Sequence, residues 1–241
     1  MNQCARILFV CLFFVTGVFW GDIQRVIMPK EIGVSCRTHK PFTAVARTTL
    51  TRIFPSGTQR TVTVEDRVAR DGEGRVMSEQ HLPWTEDPDH PVYYINILDP
   101  KDMERIHIDP QLHNASKHAV DRRYSWDYVP YDGTQYRLTA GPGVTVHTEL
   151  LGNKEINGLK CWGQRTTYIF QAGAFHGNQQ AVTHTWEVWY AKELGSDVRI
   201  VDHNPDPKAG DQQTDLLDIR YAEPDPSVFS PPAGYSNQAA Q

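Results

Sequence analysis

"RTVTVEDRVAR", residues 60–70, alternates along its length: Val62, Val64 and Val68 fall on one side of an extended chain, and Thr61, Thr63, Glu65 and Arg67 on the other. Successive side chains of a strand point to opposite faces, so this pattern makes one oily and one wetted surface. Just upstream, "TAVARTTLTRIF" (43–54) runs into "PSGTQ" (55–59), whose proline, serine and glycine turn the chain. The two segments read as an antiparallel hairpin with one solvated face. Downstream, "DGEG" (71–74) supplies the positive-φ positions of a short loop and leads into "RVMSEQHL" (75–82).

The same period governs most of the remaining chain. "PWTEDPDHP" (83–91) is a loop by its prolines and charges. In "YINILDPKDMERIHIDP" (94–110) two apolar alternating runs each close on Asp-Pro, at Asp99-Pro100 and Asp109-Pro110. Proline cannot donate to a ladder and forces its predecessor into extended geometry, while Asp bonds its own backbone in turns, so the acids mark changes of direction. A calcium loop would need a glycine at its sharp turn and alternating oxygen ligands, whereas "DPKDMER" has no glycine and sets Lys101 and Arg105 among the acids. Periodicity weakens from 115 to 143, around the aromatic "RRYSWDYVPYDGTQYRL" (122–138), and a short helix is expected over Asn114 to Arg123.

Alternation resumes with "VTVHTELL" (144–151), "LKCWGQRTTYIF" (159–170), "AVTHTWEVWY" (181–190), "VRIVDH" (198–203) and "QQTDLLDIRYA" (212–222). In the third of these Val182, His184, Trp186, Val188 and Tyr190 share a face, opposite Thr183, Thr185, Glu187 and Trp189. The fold class is therefore all-β: a single curved antiparallel sheet or half-barrel with few short helices. The tail "EPDPSVFSPPAGYSNQAAQ" is too proline-rich for a central strand; Val228, Phe229 and Tyr235 are expected to pack on the sheet and 236–241 to be disordered.

A chain of 241 residues, 39% hydrophobic and 22% charged, is within the range of one β domain, here placed at 42–235 after a lead-in at 22–41. Its net charge of −5 is spread without like-charge runs, which argues against nucleic acid as a partner. At the N-terminus, Arg6 precedes an apolar stretch from Ile7 to Trp20, too short to cross a ~30 Å hydrocarbon core, and residues 1–21 read as a secretory signal peptide. An uncleaved anchor is the alternative; after cleavage no membrane span is left, and the destination is the periplasm or the outside. Lipidation is disfavoured because Cys11 follows Val10 within the apolar run. Cleavage would leave Cys36 and Cys161 in an oxidising compartment, and two readings stay open: a disulfide, worth about 4 to 5 kcal/mol in the chain-entropy model, or two buried thiols.

Known chemistries find little support. No serine lies in a G-x-S-x-G frame, and neither the phosphate-cradling nor the dinucleotide glycine pattern occurs, so no cofactor is implied. Cys161, beside Trp162 in a strand, is a structural rather than a nucleophilic cysteine. Of ten histidines, His107, His113 and His118 are densest, yet on a helix His113 and His118 would point roughly 140° apart, and His107 with Asp109 lacks a third ligand. His184 and His203 could meet across neighbouring strands. Paired carboxylates for glycoside hydrolysis are a spatial matter that scattered acids do not reveal.

Several blocks carry a resemblance: "DPKDMERIHIDPQLHNASKH" (99–118), "ELLGNKEINGLKCWGQRTT" (149–167), "WEVWYAKELGSDVRIVDHNPDPKAGDQQTDLLDI" (186–219) and "EPDPSVFSPPAGY" (223–235) look like the blocks of an uncharacterised secreted bacterial family. More distantly, long antiparallel strands after a signal peptide are similar to the half-barrels of periplasmic lipoprotein carriers of the LolA, LolB and RseB type. That resemblance implies a curved sheet around an apolar cavity that accepts acyl chains. The expectation is an extracytoplasmic, non-enzymatic protein that binds a lipophilic molecule or an envelope protein, with Trp162, Phe170, Trp186 and Tyr190 lining the site. The alternatives are a hydrolase of envelope glycans or esters and a structural envelope subunit.

Overall fold

A computed structural model describes residues 32–54, 56–81, 93–120, 141–207 and 209–239. The signal segment with Cys4 and Cys11, the 83–91 loop and the aromatic stretch 122–138 lie outside the described residues.

Twelve described strands form one sheet. They are β1 (Phe42–Ile53), β2 (Gln59–Arg70), β3 (Val76–His81), β4 (Tyr93–Asp99), β5 (Glu104–Asp109), β6 (Asn114–Ala119), β7 (Val144–Ile156), β8 (Leu159–Phe170), β9 (Val182–Ala191), β10 (Ser196–His203), β11 (Asp211–Arg220) and β12 (Ser236–Ala239), with one 3₁₀ turn at Pro226–Phe229. Their order is β12-β6-β5-β4-β3-β2-β1-β11-β10-β9-β8-β7, so the sheet is open, with β12 and β7 at its edges. Two meanders, β1 to β6 and β7 to β11, join where β1 pairs with β11. All pairings are antiparallel except that of β12 with β6.

The hairpin read from residues 43–70 is in register from Phe42–Arg70 to Ile53–Gln59, which puts Phe42, Ala44, Ala46 and Leu50 on the face of Val62, Val64 and Val68. Phe42, Ala44, Ala46, Val68, Val188, Ile200 and Leu216 of this Phe42 face are buried in one cluster, which continues into Ile156, Leu159, Cys161 and Trp189 on the other side of β7 to β9. Beyond β2 the buried side changes. Met77, Ile97, Ile106, Ile108 and Ala115, which share the opposite face by register, form a second cluster with Ala69 and Phe229. We call this side the Ile97 face.

The Ile97 face is covered by the C-terminal strap. Glu223 accepts from the Gly72 N–H at 3.0 Å, Arg75 stands 4.8 Å from the Phe229 ring centre, and Val228 and Tyr235 pack beside it. The acids of the "IDP" turns behave as turn formers. Asp99 accepts from the N–H of Lys101 and Asp102 at 2.9 and 3.1 Å, and Asp109 from those of Gln111 and Leu112 at 2.9 and 3.0 Å.

Two polar devices hold the change of face. Arg70, 0% exposed, lies 4.9 Å from the Phe42 ring centre and donates to the carbonyls of Lys40, Ser35 and Leu194 at 2.9, 2.9 and 2.8 Å. It thereby ties the lead-in and the β9–β10 turn to β2. Burial, with Arg37 nearby, pushes its pKa down to about 10, which still leaves it a cation at neutral pH. At the β2–β3 seam the backbone ladder runs only from Arg70–Val76 to Val68–Ser78. Past it, carboxylates take the place of carbonyls: Glu79 accepts from the Arg67 N–H at 3.0 Å and Asp66 from the His81 N–H at 2.9 Å, with His81 Nδ1 2.6 Å from the same oxygen.

The sequence reading needs two corrections. Asn114–Ala119 is a strand rather than the start of a helix, because pairing with β5 and burial of Ala115 against the Ile97 face outweigh the weak helical preference of "NASKHA". Residues 236–239, expected to be disordered, add β12 to the sheet edge, where the backbone of β6 still offers hydrogen bonds. Among the described residues no helix is long and apolar enough to cross a membrane.

Burial holds the Asp66 carboxyl above its ordinary range, more than the bonds from His81 lower it. A raised carboxyl binds its proton more readily folded than unfolded, so its contribution to stability falls as pH rises through the window above the ordinary Asp value. Urea unfolding of the wild type and Asp66→Asn across pH 4 to 7 should show wild-type stability gaining on the variant as pH is lowered. A difference independent of pH would contradict this reading of the seam.

Candidate functional site

The remainder of the Phe42 face, across β7, β8 and β9, is built by register. Trp162 opposes Tyr190, Thr166 opposes Trp186, Tyr168 opposes His184 and Phe170 opposes Val182. On the edge strand, Val144, Val146 and Leu150 oppose Phe170, Tyr168 and Gln164. All four aromatics expected to line a site, Trp162, Phe170, Trp186 and Tyr190, therefore share one face. They are not one contact cluster. Trp162 meets Tyr190 edge-on at 6.1 Å, whereas Phe170 stacks with Tyr168 at 6.3 Å and packs tilted against Phe175 at 4.8 Å. Phe170 and Tyr190 are buried, Trp162, Tyr168 and Trp186 half-buried, and Leu150 63% exposed.

Polar groups interrupt this apolar face where β9, β10, β11 and β1 adjoin. Asp202 opposes Trp186 on one side and Gln212 on the other. Its carboxylate bonds His184 Nε2, and the imidazole stacks on Tyr168 with centroids 5.7 Å apart. Thr48 and Thr214 share a hydroxyl bond at 2.9 Å, and Gln212 donates to the Thr214 hydroxyl at 3.3 Å. Burial and then the charge of Asp202 raise the Tyr168 phenol above its ordinary pKa. From sequence, His184 is one member of an alternating stripe that could meet His203 across neighbouring strands. The structure instead sets His203 opposite Thr185 and 3.6 Å from Asp211, because the β9–β10 register brings Asp202 to His184's face.

The opposite face of the same strands is a row of complementary charge. Arg165 bridges Glu149 and Glu187 at 3.1 and 2.8 Å, Arg199 meets Asp215 at 2.6 Å, and Arg47 meets Glu65 at 2.8 Å. Such part-exposed pairs add little stability each, but they keep that side wet. Trp189 lies on this side, donating to Glu187 at 2.5 Å and lying across Gly163, where a Cβ would stand 2.7 Å from the indole. It backs the strand segment that carries Trp162.

The other residues singled out from sequence lie apart from the aromatic face. His107 packs tilted against Tyr94 and bonds Asn96, His113 packs tilted against Tyr235 and His118 bonds Ser116. Among the described residues no three histidine, cysteine or carboxylate side chains gather to hold a metal. No disulfide joins Cys36 and Cys161 in this structure. Cys161 is packed with Ile156 and Leu159 on the charged side of β8, and burial raises its pKa.

No family model matches the chain, and no curated protein matches its sequence. Solved structures similar to it include an uncharacterised conserved protein from Thermus thermophilus, 9% identical, covering 94% of this chain and 99% of that one, with a TM-score of 0.42. A chain of the MucA/MucB complex from Pseudomonas aeruginosa is 10% identical over 82% of this chain, at a TM-score of 0.41; the match spans 58% of that chain. A LolA superfamily protein from Nitrosomonas europaea is 10% identical, covering 79% of this chain and 90% of that one, with a TM-score of 0.33.

Gly163→Ala should force the Trp189 indole to shift and lower stability by about 1 to 3 kcal/mol, the usual cost of overpacking. The midpoint of urea unfolding reads this directly, and a change of under ~0.5 kcal/mol, the range of an ordinary surface substitution, would show that the indole does not depend on the bare glycine.

Proposed function

We propose that this is an exported, non-enzymatic β-sheet protein that holds a lipophilic molecule, or an apolar part of another envelope component, against the Phe42 face of β7 to β9. One observation carries the reading. That face combines half-buried Trp162, Tyr168 and Trp186 with exposed Leu150 on a paired, rigid sheet, while its reverse is a row of ion pairs. Partly exposed aromatic side chains gathered on one face of an otherwise well-charged molecule support reading that face as an interaction surface. Half-buried tryptophans offer large apolar area at little entropic cost, since few torsions are frozen on binding. Export follows from the short apolar N-terminal stretch Ile7 to Trp20 behind Arg6, and puts the protein among membrane lipids and lipoproteins.

A second reading, a hydrolase of envelope esters or glycans, is favoured by the His184–Asp202 pair alone. A carboxylate that orients an imidazole is half of a nucleophilic triad, and the reading requires a nucleophile beside it. Release of nitrophenol from p-nitrophenyl esters, abolished by His184→Ala, would establish it.

The binding reading is tested with N-phenyl-1-naphthylamine, a dye that brightens in apolar surroundings. The purified protein should enhance its fluorescence saturably, and Trp186→Ala or Trp162→Ala should weaken binding about tenfold, equivalent to ~1.4 kcal/mol. No enhancement with the wild type, or equal affinity in both variants, would overturn it.

A further inference from the structure

His184 is 2% exposed, and its Nε2 is engaged by Asp202, yet its Nδ1 has no hydrogen-bond partner among the described residues. A carboxylate only accepts, so in the neutral ring the proton resides on Nε2 and Nδ1 is left as a bare lone pair. A buried acceptor without a donor is costly, and native proteins rarely leave one. On the same face the ring lies between apolar Trp186 and Val188 and the polar strip of Asp202, Gln212 and Thr214, of which Asp202 bonds it, through Nε2. Asp202 fixes the ring in its tautomer, and Tyr168 stacks over it.

From this geometry we infer that His184 is the polar anchor of the lipophilic site, with Nδ1 accepting from the O–H of a hydroxyl-bearing single-chain amphiphile, a fatty alcohol or a protonated fatty acid. The inference rests on the binding role proposed above for the same face. The head group donates to Nδ1, Nε2–H donates to Asp202, and the chain of bonds ends on the carboxylate. Polarisation by that carboxylate makes Nδ1 a stronger acceptor than a free imidazole. The alkyl chain then extends over Phe170 and Trp186, aromatic residues of neighbouring register positions. Tyr168, which stacks on His184, is the cover the head group displaces, and its half-exposed position leaves it room to turn.

The test compares 1-decanol with its methyl ether, which keeps the chain and the oxygen and lacks only the O–H. Each displaces bound N-phenyl-1-naphthylamine from the purified wild type, His184→Phe and Asp202→Asn, the last serving if the buried phenylalanine prevents folding. The alcohol should bind the wild type about tenfold more tightly than the ether, a difference of ~1.4 kcal/mol, and the preference should shrink to within about twofold in the variants as the acceptor is lost or loses its polarising partner. Equal binding of alcohol and ether by the wild type, or a preference that survives in the folded variants, overturns the anchor while leaving the lipophilic site standing. Failure of both compounds to displace the dye overturns the anchor as well, and failure of the dye itself to bind removes the site on which it rests.

Discussion

One continuous sheet here has to bury opposite faces on the two sides of β2. The core around Phe42, Val68 and Leu216 lies on one side, and the core around Ile97, Ile108 and Phe229 on the other. A sheet cannot change sides without a place where both faces are covered and the ladder yields. The end of β2 is that place: Val68 faces one core and Ala69 the other. Arg70 donates to three carbonyls there with no carboxylate partner among the described residues, and Asp66 and Glu79 replace the missing ladder carbonyls of a splayed seam. A buried cation satisfied only by carbonyls is expensive to desolvate, so its value lies in fixing where the lead-in, the β9–β10 turn and β2 meet.

That change of side frees the site. The C-terminal strap covers the Ile97 face of β3 to β6, and the buried cluster around Phe42 and Leu216 reaches Val188 of β9 with Trp186 packed against it, so Trp162, Tyr168 and Phe170 lie beyond that cluster, toward β7 on the Phe42 face. Trp189 and the ion-pair row stiffen the reverse. The His184–Asp202 pair marks where the apolar margin meets a polar strip of Thr48, Gln212 and Thr214. An amphiphile, with one oily and one polar end, matches that boundary better than a pure hydrocarbon does.

Much of this was legible in the alternation of side chains. "RTVTVEDRVAR" and "AVTHTWEVWY" state which residues share a face, and the structure keeps both assignments. The Asp-Pro closures read as turns because Asp and Pro act through their own backbone, with no need of distant partners. What failed or was missed depended on partners far away in sequence. "NASKHA" became a strand because β5 and β12 flank it, and Ser236–Ala239 found order at the edge of β6. The change of buried face, the role of Arg70 and the meeting of His184 with Asp202 all follow from strand registers, and alternation within a strand fixes faces only relative to each other. The tryptophans were foreseen as one group, while Trp189, on the opposite face by the same alternation, proved to be their backing.

The most direct measurement is quenching of tryptophan fluorescence by a brominated alkyl chain. The protein has six tryptophans, and in the described part Trp162 and Trp186 share the Phe42 face while Trp189 lies on its reverse. Quenching should be saturable, should fall sharply in a Trp162→Phe/Trp186→Phe double variant, and should persist in Trp189→Phe. Quenching that survives the double variant and disappears with Trp189 would put the ligand on the charged side of the sheet and contradict the account.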